Sequence, residues 1–381
     1  MDFELTDEQR DLQNAAIKFA RDELNDNLLE RDANETFSLA GWKKCADFGV
    51  LRLPIPEKFG GIGGDPITTI AVMEGLGYGC RDQGLLFSIN AHLWTNSIPI
   101  LKYGTQEQID KYLPRLCDGS LIGANGASES GAGSDIFSMR SRVVLDGNEY
   151  VLNGSKIWVT NAPVADLFVV YATLDPSRGV MGICGFIVEK DNPGLSVGAK
   201  LDKMGLRTSP MAEIFFKDCR VPVTARLGRE GFGAEVFNCS MAWERASILA
   251  TCVGTMRRQL ERCIEFARTR KQFGHPIGKF QSVANRIVDM KIRYENARLL
   301  LYKVGWLMQQ GKNTDLDSAM TKLFISESFL NSCLDAVQIH GTMGYMREME
   351  FERELRDAVG SRLYSGTSEI QRNIIAKGLR V

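Results

Sequence analysis

Four stretches of the chain bring together residue types that could do chemistry. The first is Ala127-Ser128-Glu129-Ser130-Gly131-Ala132-Gly133-Ser134-Asp135. Side chains this small let the backbone approach a ligand closely, and free amides beside serine hydroxyls suit a phosphate or a ring edge. A plain loop would have the same composition. The second is Lys156-Ile157-Trp158-Val159-Thr160-Asn161. On a strand, Trp158 and Thr160 share one face, so an aromatic wall and a hydroxyl could meet a flat heterocycle. A tryptophan in a core reads the same way. The third is Arg270-Lys271-Gln272-Phe273-Gly274, followed by Ile277 and Phe280-Gln281. The fourth begins at Gln338-Ile339-His340-Gly341 and ends at Tyr364-Ser365-Gly366-Thr367-Ser368-Glu369-Ile370-Gln371-Arg372.

Several common signatures are missing. There is no Walker loop, no Gly-x-Gly-x-x-Gly, no Gly-x-Ser-x-Gly elbow and no His-Glu-x-x-His, which removes support from kinase, serine hydrolase and zinc protease readings. Three histidines without ligand spacing argue against a metal enzyme. A formal net charge of -1 argues against nucleic acid as the main partner. No stretch approaches the roughly 20 apolar residues of a membrane span, and the polar start MDFELTDEQRDLQ does not read as a signal peptide. Nine scattered cysteines, never paired as Cys-x-x-Cys, suggest reduced thiols in the cytoplasm.

The elements that must position these residues fall into three segments. Residues 1–120 read as helical: Thr6 and Gln9 fit a capping box, and Leu12, Ala16, Phe19 and Ala20 give an apolar face. The glycine-rich link Gly60–Gly64 reads as a turn. Residues 121–230 read as β-structure. Asp146-Gly147-Asn148 predicts a hairpin turn and Asn153-Gly154 a second one, and short β-rich runs cover 167–172, 183–188 and 213–216. From 231 to 381 the helical period returns. Ile287, Met290, Tyr294, Ala297, Leu301, Val304 and Met308 form one long stripe, as in a helix bundle. Thr314 with Asp317, and Thr367 or Ser368 with Gln371, mark further helix starts.

With these motifs in this order and spacing over nearly its whole length, the chain resembles the acyl-CoA dehydrogenase family. The resemblance implies a mainly α fold with a middle β-barrel: an N-terminal helical domain, a β domain and a C-terminal four-helix bundle. It also implies noncovalent FAD and a homotetramer. Carried over by position, Ala127 and Ser128 would meet the flavin ring and Gly133 and Ser134 would lie near the phosphates. Trp158 would stack near the flavin, with Thr160 by its N5. Arg270, Phe273, Ile277, Gln281, Gln338 and Gly341 would hold the adenosine and pyrophosphate end across a subunit interface, and Thr367 and Glu369 would contact FAD at the last helix. Tyr364, Ser134 and Ala242 would face the substrate.

The family's reaction removes the α-proton of an acyl thioester with a carboxylate and a hydride from its β-carbon. Most relatives place that carboxylate between the tyrosine and glycine of the late motif, and here that position is Ser365. A serine hydroxyl is a poor base. A minority branch carries its glutamate on a bundle helix before an arginine, and this chain has Trp243-Glu244-Arg245 there. The resemblance thus assigns the base to Glu244, beside Arg245, and leaves Ser365 a backbone N–H toward the thioester carbonyl. On that reading Ser365→Ala is mild.

The same branch includes enzymes acting on prolyl groups tethered to a carrier protein, and the resemblance is nearest there. Ala242 replaces an aspartate, Ser130 a proline and His340 an apolar residue of the ordinary CoA pattern. The expected substrate is an L-prolyl carrier-protein thioester; a short branched acyl-CoA is the alternative. A same-fold monooxygenase or nitroalkane-oxidase relative and a non-enzymatic flavin-binding protein are further readings. Product mass and flavin reduction by a thioester separate them.

Overall fold

The computed structural model describes residues 4–381, apart from the side chain of residue 246. The chain opens with seven helices: α1 (Asp7–Glu23), α2 (Leu28–Ala33), α3 (Leu39–Phe48), α4 (Pro66–Gly79), α5 (Gln83–His92), α6 (Ile98–Tyr103) and α7 (Gln106–Cys117). Helix α1 starts where the sequence predicts. Thr6 Oγ1 accepts from the Gln9 N–H, and Gln9 Oε1 accepts from the Thr6 N–H, both at 3.2 Å.

Eight strands follow: β1 (Gly123–Gly126), β2 (Arg142–Asp146), β3 (Glu149–Thr160), β4 (Leu167–Thr173), β5 (Ile183–Glu189), β6 (Leu195–Lys200), β7 (Met211–Pro222) and β8 (Arg226–Leu227). They form one sheet in the order β6-β7-β3-β2-β4-β5-β8, with β1 parallel to β4. The expected middle β domain is present as this sheet, with no closed barrel shown among the described residues. The path is open, and no pairing joins β6 to β8 among the described residues; β8, with two residues, is too short to carry a closing ladder. The hairpin turn at 147–148 forms as predicted, with Asp146 opposite Glu149. The second predicted turn does not. Asn153-Gly154 lies inside β3 as a register shift against β7, with Gly154 at φ 144°.

Strand β4 is buried on both faces. Leu167, Val169 and Tyr171 join the core shared with the helices, while Phe168, Val170 and Ala172 join a second core within the sheet. A strand covered on both sides reads as a continuous apolar run.

The helical period resumes in α8 (Gly233–Ser247) and α9 (Ala250–Thr269). A two-stranded hairpin, β9 (Lys271–Gln272) with β10 (His275–Pro276), precedes α10 (Gln281–Gln309). Then come α11 (Asp315–His340), α12 (Thr342–Tyr345), α13 (Phe351–Ser361) and α14 (Ser368–Leu379). The predicted stripe lies on α10, where Met290, Tyr294, Ala297, Leu301 and Val304 are buried. Among the described residues no helix is long and apolar enough to cross a membrane, and the nine cysteines are free and buried.

Two features lock the first helices onto the last. Glu74 of α4 is buried and accepts from Gln13 Nε2 at 3.0 Å and Tyr302 Oη at 2.6 Å, with Arg298 Nε at 3.4 Å. Where α4 crosses α9 the backbones nearly touch. A Cβ on Gly77 would stand 2.0 Å from the Thr251 carbonyl oxygen, and one on Gly254 would stand 2.0 Å from that of Glu74. A backbone atom cannot swing aside as a side chain can. Gly77→Ala is therefore expected to cost about 1–3 kcal/mol or more, read as a lower Tm in thermal unfolding. An unchanged Tm would mean that the crossing is loose.

Candidate functional site

Helix α8 carries Glu244, and its placement is set by a break in the helical path before it. Pro99 has no N–H to give the carbonyl of Thr95, four residues earlier. Asn125 Nδ2 of β1 donates to that carbonyl instead, at 3.2 Å. The chain there widens to a π-turn over Leu93–Ser97, a feature that recurs at functional sites. Its Trp94 stacks on Trp243 with ring centroids 5.6 Å apart and planes at 11°. Trp243 immediately precedes Glu244, so this stack fixes the rotation of α8.

Opposite Glu244 lies the turn between α13 and α14. Ser365 has φ 56° and Gly366 φ 89°. Gln371 Nε2 donates to both their carbonyls, at 3.1 and 2.9 Å, and Arg245 Nε donates to that of Ser365 at 3.4 Å. With its carbonyl held this way, Ser365 directs its hydroxyl to Glu244, donating to Oε1 at 2.6 Å. Its own N–H donates to no group among the described residues. The sequence reading gave Ser365 only a backbone role; the side chain proves to be a direct partner of the carboxylate.

Glu244 is 8% exposed, and its Oε2 has no hydrogen-bond partner among the described residues. Burial pushes its carboxyl above the usual carboxylate range, while the Ser365 hydroxyl, Arg245 and Lys322 pull it back down. A carboxylate with one anchored oxygen, one free oxygen and a raised pKa is equipped to take a proton at neutral pH. Burial lowers Arg245. Lys322 of α11 is fully buried, with no hydrogen-bond partner for its ammonium among the described residues; burial, then nearby Arg245, lowers it to about 8. Sequence reasoning missed Lys322, which looks like any lysine in a helix. Tyr364 packs against Phe87 at 4.6 Å and its hydroxyl lies 3.9 Å from Cys252 Sγ. Ala242 is half-buried on α8.

The serine- and glycine-rich loop is pinned rather than loose. Lys156 of β3, fully buried, donates to Glu129 Oε1 at 2.7 Å and to the Ala127 carbonyl at 3.3 Å. The Glu129 carboxylate also accepts from the N–H groups of Arg140 and Ser141 at 2.6 and 2.9 Å. The Ile157 N–H donates to the Ser128 carbonyl at 2.9 Å, and a Cβ on Gly133 would lie 3.9 Å from the Trp158 ring. Trp158 itself sits at a bulge in β3 with φ 58° and is 53% exposed. It is therefore no core residue. Val159 is buried beside it, and Thr160 is half-buried on the outward side. Ser134 is exposed on the same loop.

The remaining residues lie elsewhere. Arg270 ends α9, Phe273 sits at the hairpin tip at 90% exposure, Ile277 follows, and Gln281 opens α10. Gln338 and Gly341 lie exposed at the end of α11. His340 brings that end to α9, stacked between Phe266 and Phe351 at 4.2 Å from each, so it packs within the protein. Thr367 Oγ1 caps α14 by accepting from the Ile370 N–H at 3.3 Å, and Glu369 is exposed in the first turn.

The chain matches three models of known families in succession: the N-terminal domain of acyl-CoA dehydrogenase over residues 6–120, the middle domain over 124–219 and the C-terminal domain over 231–380. An L-prolyl-[peptidyl-carrier protein] dehydrogenase of Serratia sp. is 43% identical over 379 residues, covering 100% of this chain and 98% of that one. Among solved structures, the prolyl acyl carrier protein oxidase AnaB is 48% identical with a TM-score of 0.98, covering 99% of this chain and 100% of that one. PigA, solved with FAD and proline, is 43% identical with a TM-score of 0.98, covering 100% and 99%. With all three domain models matched in order and relatives this similar along the full length, the chain belongs to the acyl-CoA dehydrogenase family.

Proposed function

We propose that this protein is an FAD-dependent oxidoreductase that removes two hydrogens from an L-prolyl group held as a thioester on a carrier protein, in natural-product biosynthesis. The observation that carries the chemistry is the buried Glu244 carboxylate, anchored at Oε1 by Ser365 and free at Oε2. The substrate follows from the relatives that act on prolyl carrier proteins.

The residues present fit a flavin. Trp158, an exposed indole held at an unusual positive φ beside Gly133, offers a flat wall over a loop that the Glu129–Lys156 pair keeps in one shape. On this reading Ala127, Ser128, Gly133, Ser134, Trp158 and Thr160 hold the ring and phosphates, with Thr367 and Glu369 at the start of α14. Arg270, Phe273, Ile277, Gln281, Gln338 and Gly341 take the adenosine end. A phenylalanine 90% exposed at a hairpin tip suits a surface that another subunit covers, which supports a homotetramer. FAD, when bound, supplies the acceptor for the hydride. Glu244 Oε2 removes the proton α to the thioester carbonyl, and the Ser365 N–H donates to that carbonyl oxygen as charge develops on it. Tyr364 and Ala242 line the acyl side. Arg245, by holding the Ser365 carbonyl, keeps the turn in the conformation that points both Ser365 donors inward. The nine free, buried cysteines agree with a cytoplasmic protein.

Glu244→Gln is expected to retain flavin and to lower kcat at least 10²–10⁴-fold, measured as flavin bleaching under single turnover; near-native rates would remove Glu244 from the role. Ser365→Ala removes a bond that lowers the Glu244 pKa. Glu244 must be deprotonated to act, so the acid limb of kcat/KM is expected to move to higher pH, with the high-pH plateau retained. An unmoved limb would show that the hydroxyl does not tune the base. Prolyl-carrier protein is expected to bleach the flavin and isovaleryl-CoA is not; bleaching by the CoA ester alone would refute the substrate assignment.

A further inference from the structure

Resting on that reading, we infer that the acidic face of the carrier protein docks on a patch formed by the turn at residues 176–182 and the turn at 229–232. The two turns touch: a Cβ on Gly231 would lie 2.6 Å from the Met181 carbonyl oxygen, and Arg178 Nη1 lies 3.9 Å from Glu230 Oε1. Large apolar side chains stand out from both. Val180 is 46% exposed, Met181 58% and Phe232 37%. Single exposed apolar residues are ordinary, but three on adjoining turns form a patch of the kind that marks an interaction site.

Arginines rim this patch. The Arg229 guanidinium lies 5.7 Å from the Phe232 ring centroid, and Arg142 stands opposite Thr173 at the strand end leading into the 176–182 turn. Neither has a carboxylate within ion-pair distance among the described residues. The acidic groups nearby are already engaged or set back. Glu230 lies 3.9 Å from both Arg178 and Arg226 and accepts from Tyr150 Oη, and Asp175 accepts from the Ser177 N–H and hydroxyl. Glu235 is exposed one turn into α8. Unpaired arginines around exposed methionine, valine and phenylalanine suit a partner that offers carboxylates around an apolar contact.

The position of the patch identifies that partner. Phe232 caps α8, and Glu244 lies twelve residues further along the same helix, about 18 Å at 1.5 Å per residue. An extended phosphopantetheine arm spans that distance. Between the two ends, half-buried Phe137 packs edge-on against Phe237 of α8 at 5.8 Å, and Phe237 against Tyr171 at 5.7 Å. A carrier protein seated on the patch thus delivers its thioester to Glu244 without entering the protein, and neither Arg142 nor Arg229 touches the reacting groups.

The test compares the holoenzyme with an R142Q/R229Q variant, which removes the two unpaired arginines. Binding of acidic carrier protein bearing a non-hydrolysable prolyl amide is measured by titration at low and high salt, and turnover is measured with prolyl-carrier protein and with free prolyl-pantetheine thioester. The variant is expected to bind the carrier at least tenfold more weakly, with a flattened salt dependence and a raised KM for the carrier substrate. Its flavin content, Tm and kcat/KM for the free thioester are expected to match the parent. Equal carrier binding by parent and variant, no carrier binding by the parent, or a change only in the association of copies of this chain would overturn the docking surface. Failure of the parent to oxidise the prolyl-carrier protein would instead overturn the substrate reading, and the binding measurement would still decide the docking.

Discussion

The rest of the site depends on one constraint: a glutamate must be kept almost out of water and yet remain able to ionise. Full burial without partners disfavours the charged form strongly, and each unit of pKa corresponds to about 1.4 kcal/mol. The structure offsets this only partly. One hydroxyl reaches Oε1 of Glu244, and two cations, Arg245 and Lys322, lie near enough to pull its pKa down while burial holds it up. Too many partners would leave a weak base; too few would leave a protonated acid. Ser365 therefore replaces more than a missing carboxylate. On the proposed reading, it is the hydrogen-bond partner of the base.

Two strained backbone positions show where the fold commits energy to this arrangement. Trp158 and Ser365 both have positive φ, a conformation uncommon outside glycine and costing of order 1–3 kcal/mol. Each is held by groups around it. At Trp158 these are the neighbouring β3 ladder, the Ser128 carbonyl taken by Ile157, and the buried Lys156–Glu129 pair. At Ser365 they are Gln371 and Arg245 on its carbonyl. On the proposed reading, both strained residues serve the same reaction, the indole through the flavin and the hydroxyl and N–H through the base and the thioester. The Trp94–Trp243 stack and the Asn125 bond to Thr95 tie the helix carrying Glu244 to the sheet carrying Trp158.

Much of this was legible in the residues. The three-part order of helices, sheet and helices follows from periodicity, and the first helix cap and the 147–148 hairpin follow from local chemistry that acts over three or four residues. Asn153-Gly154 was misread because the dipeptide suits a turn and a bulge equally; pairing with β7, sixty residues away, decides between them. Strand composition does not report whether the end strands of the sheet meet, so closure into a barrel is not legible in the residues. The pairing of Ser365 with Glu244 spans 121 residues, and no local signal encodes it. A vacated carboxylate position could suggest where to look, but not that the hydroxyl there would point at Glu244. Lys322 was invisible for the same reason: it is fully buried, and the groups that act on it, Arg245 and Glu244 of α8 among them, lie far away in sequence.

The central claim is that Glu244 is the group that removes the α-proton. The most direct measurement separates that step from oxidation. Enzyme with its flavin already reduced, so that no net oxidation can occur, is incubated with prolyl-carrier thioester in deuterated water, and deuterium entering at the α-carbon is followed by mass spectrometry. The account predicts enzyme-catalysed exchange by the parent and none above background by Glu244→Gln. Exchange at the parent rate in the glutamine variant would contradict it.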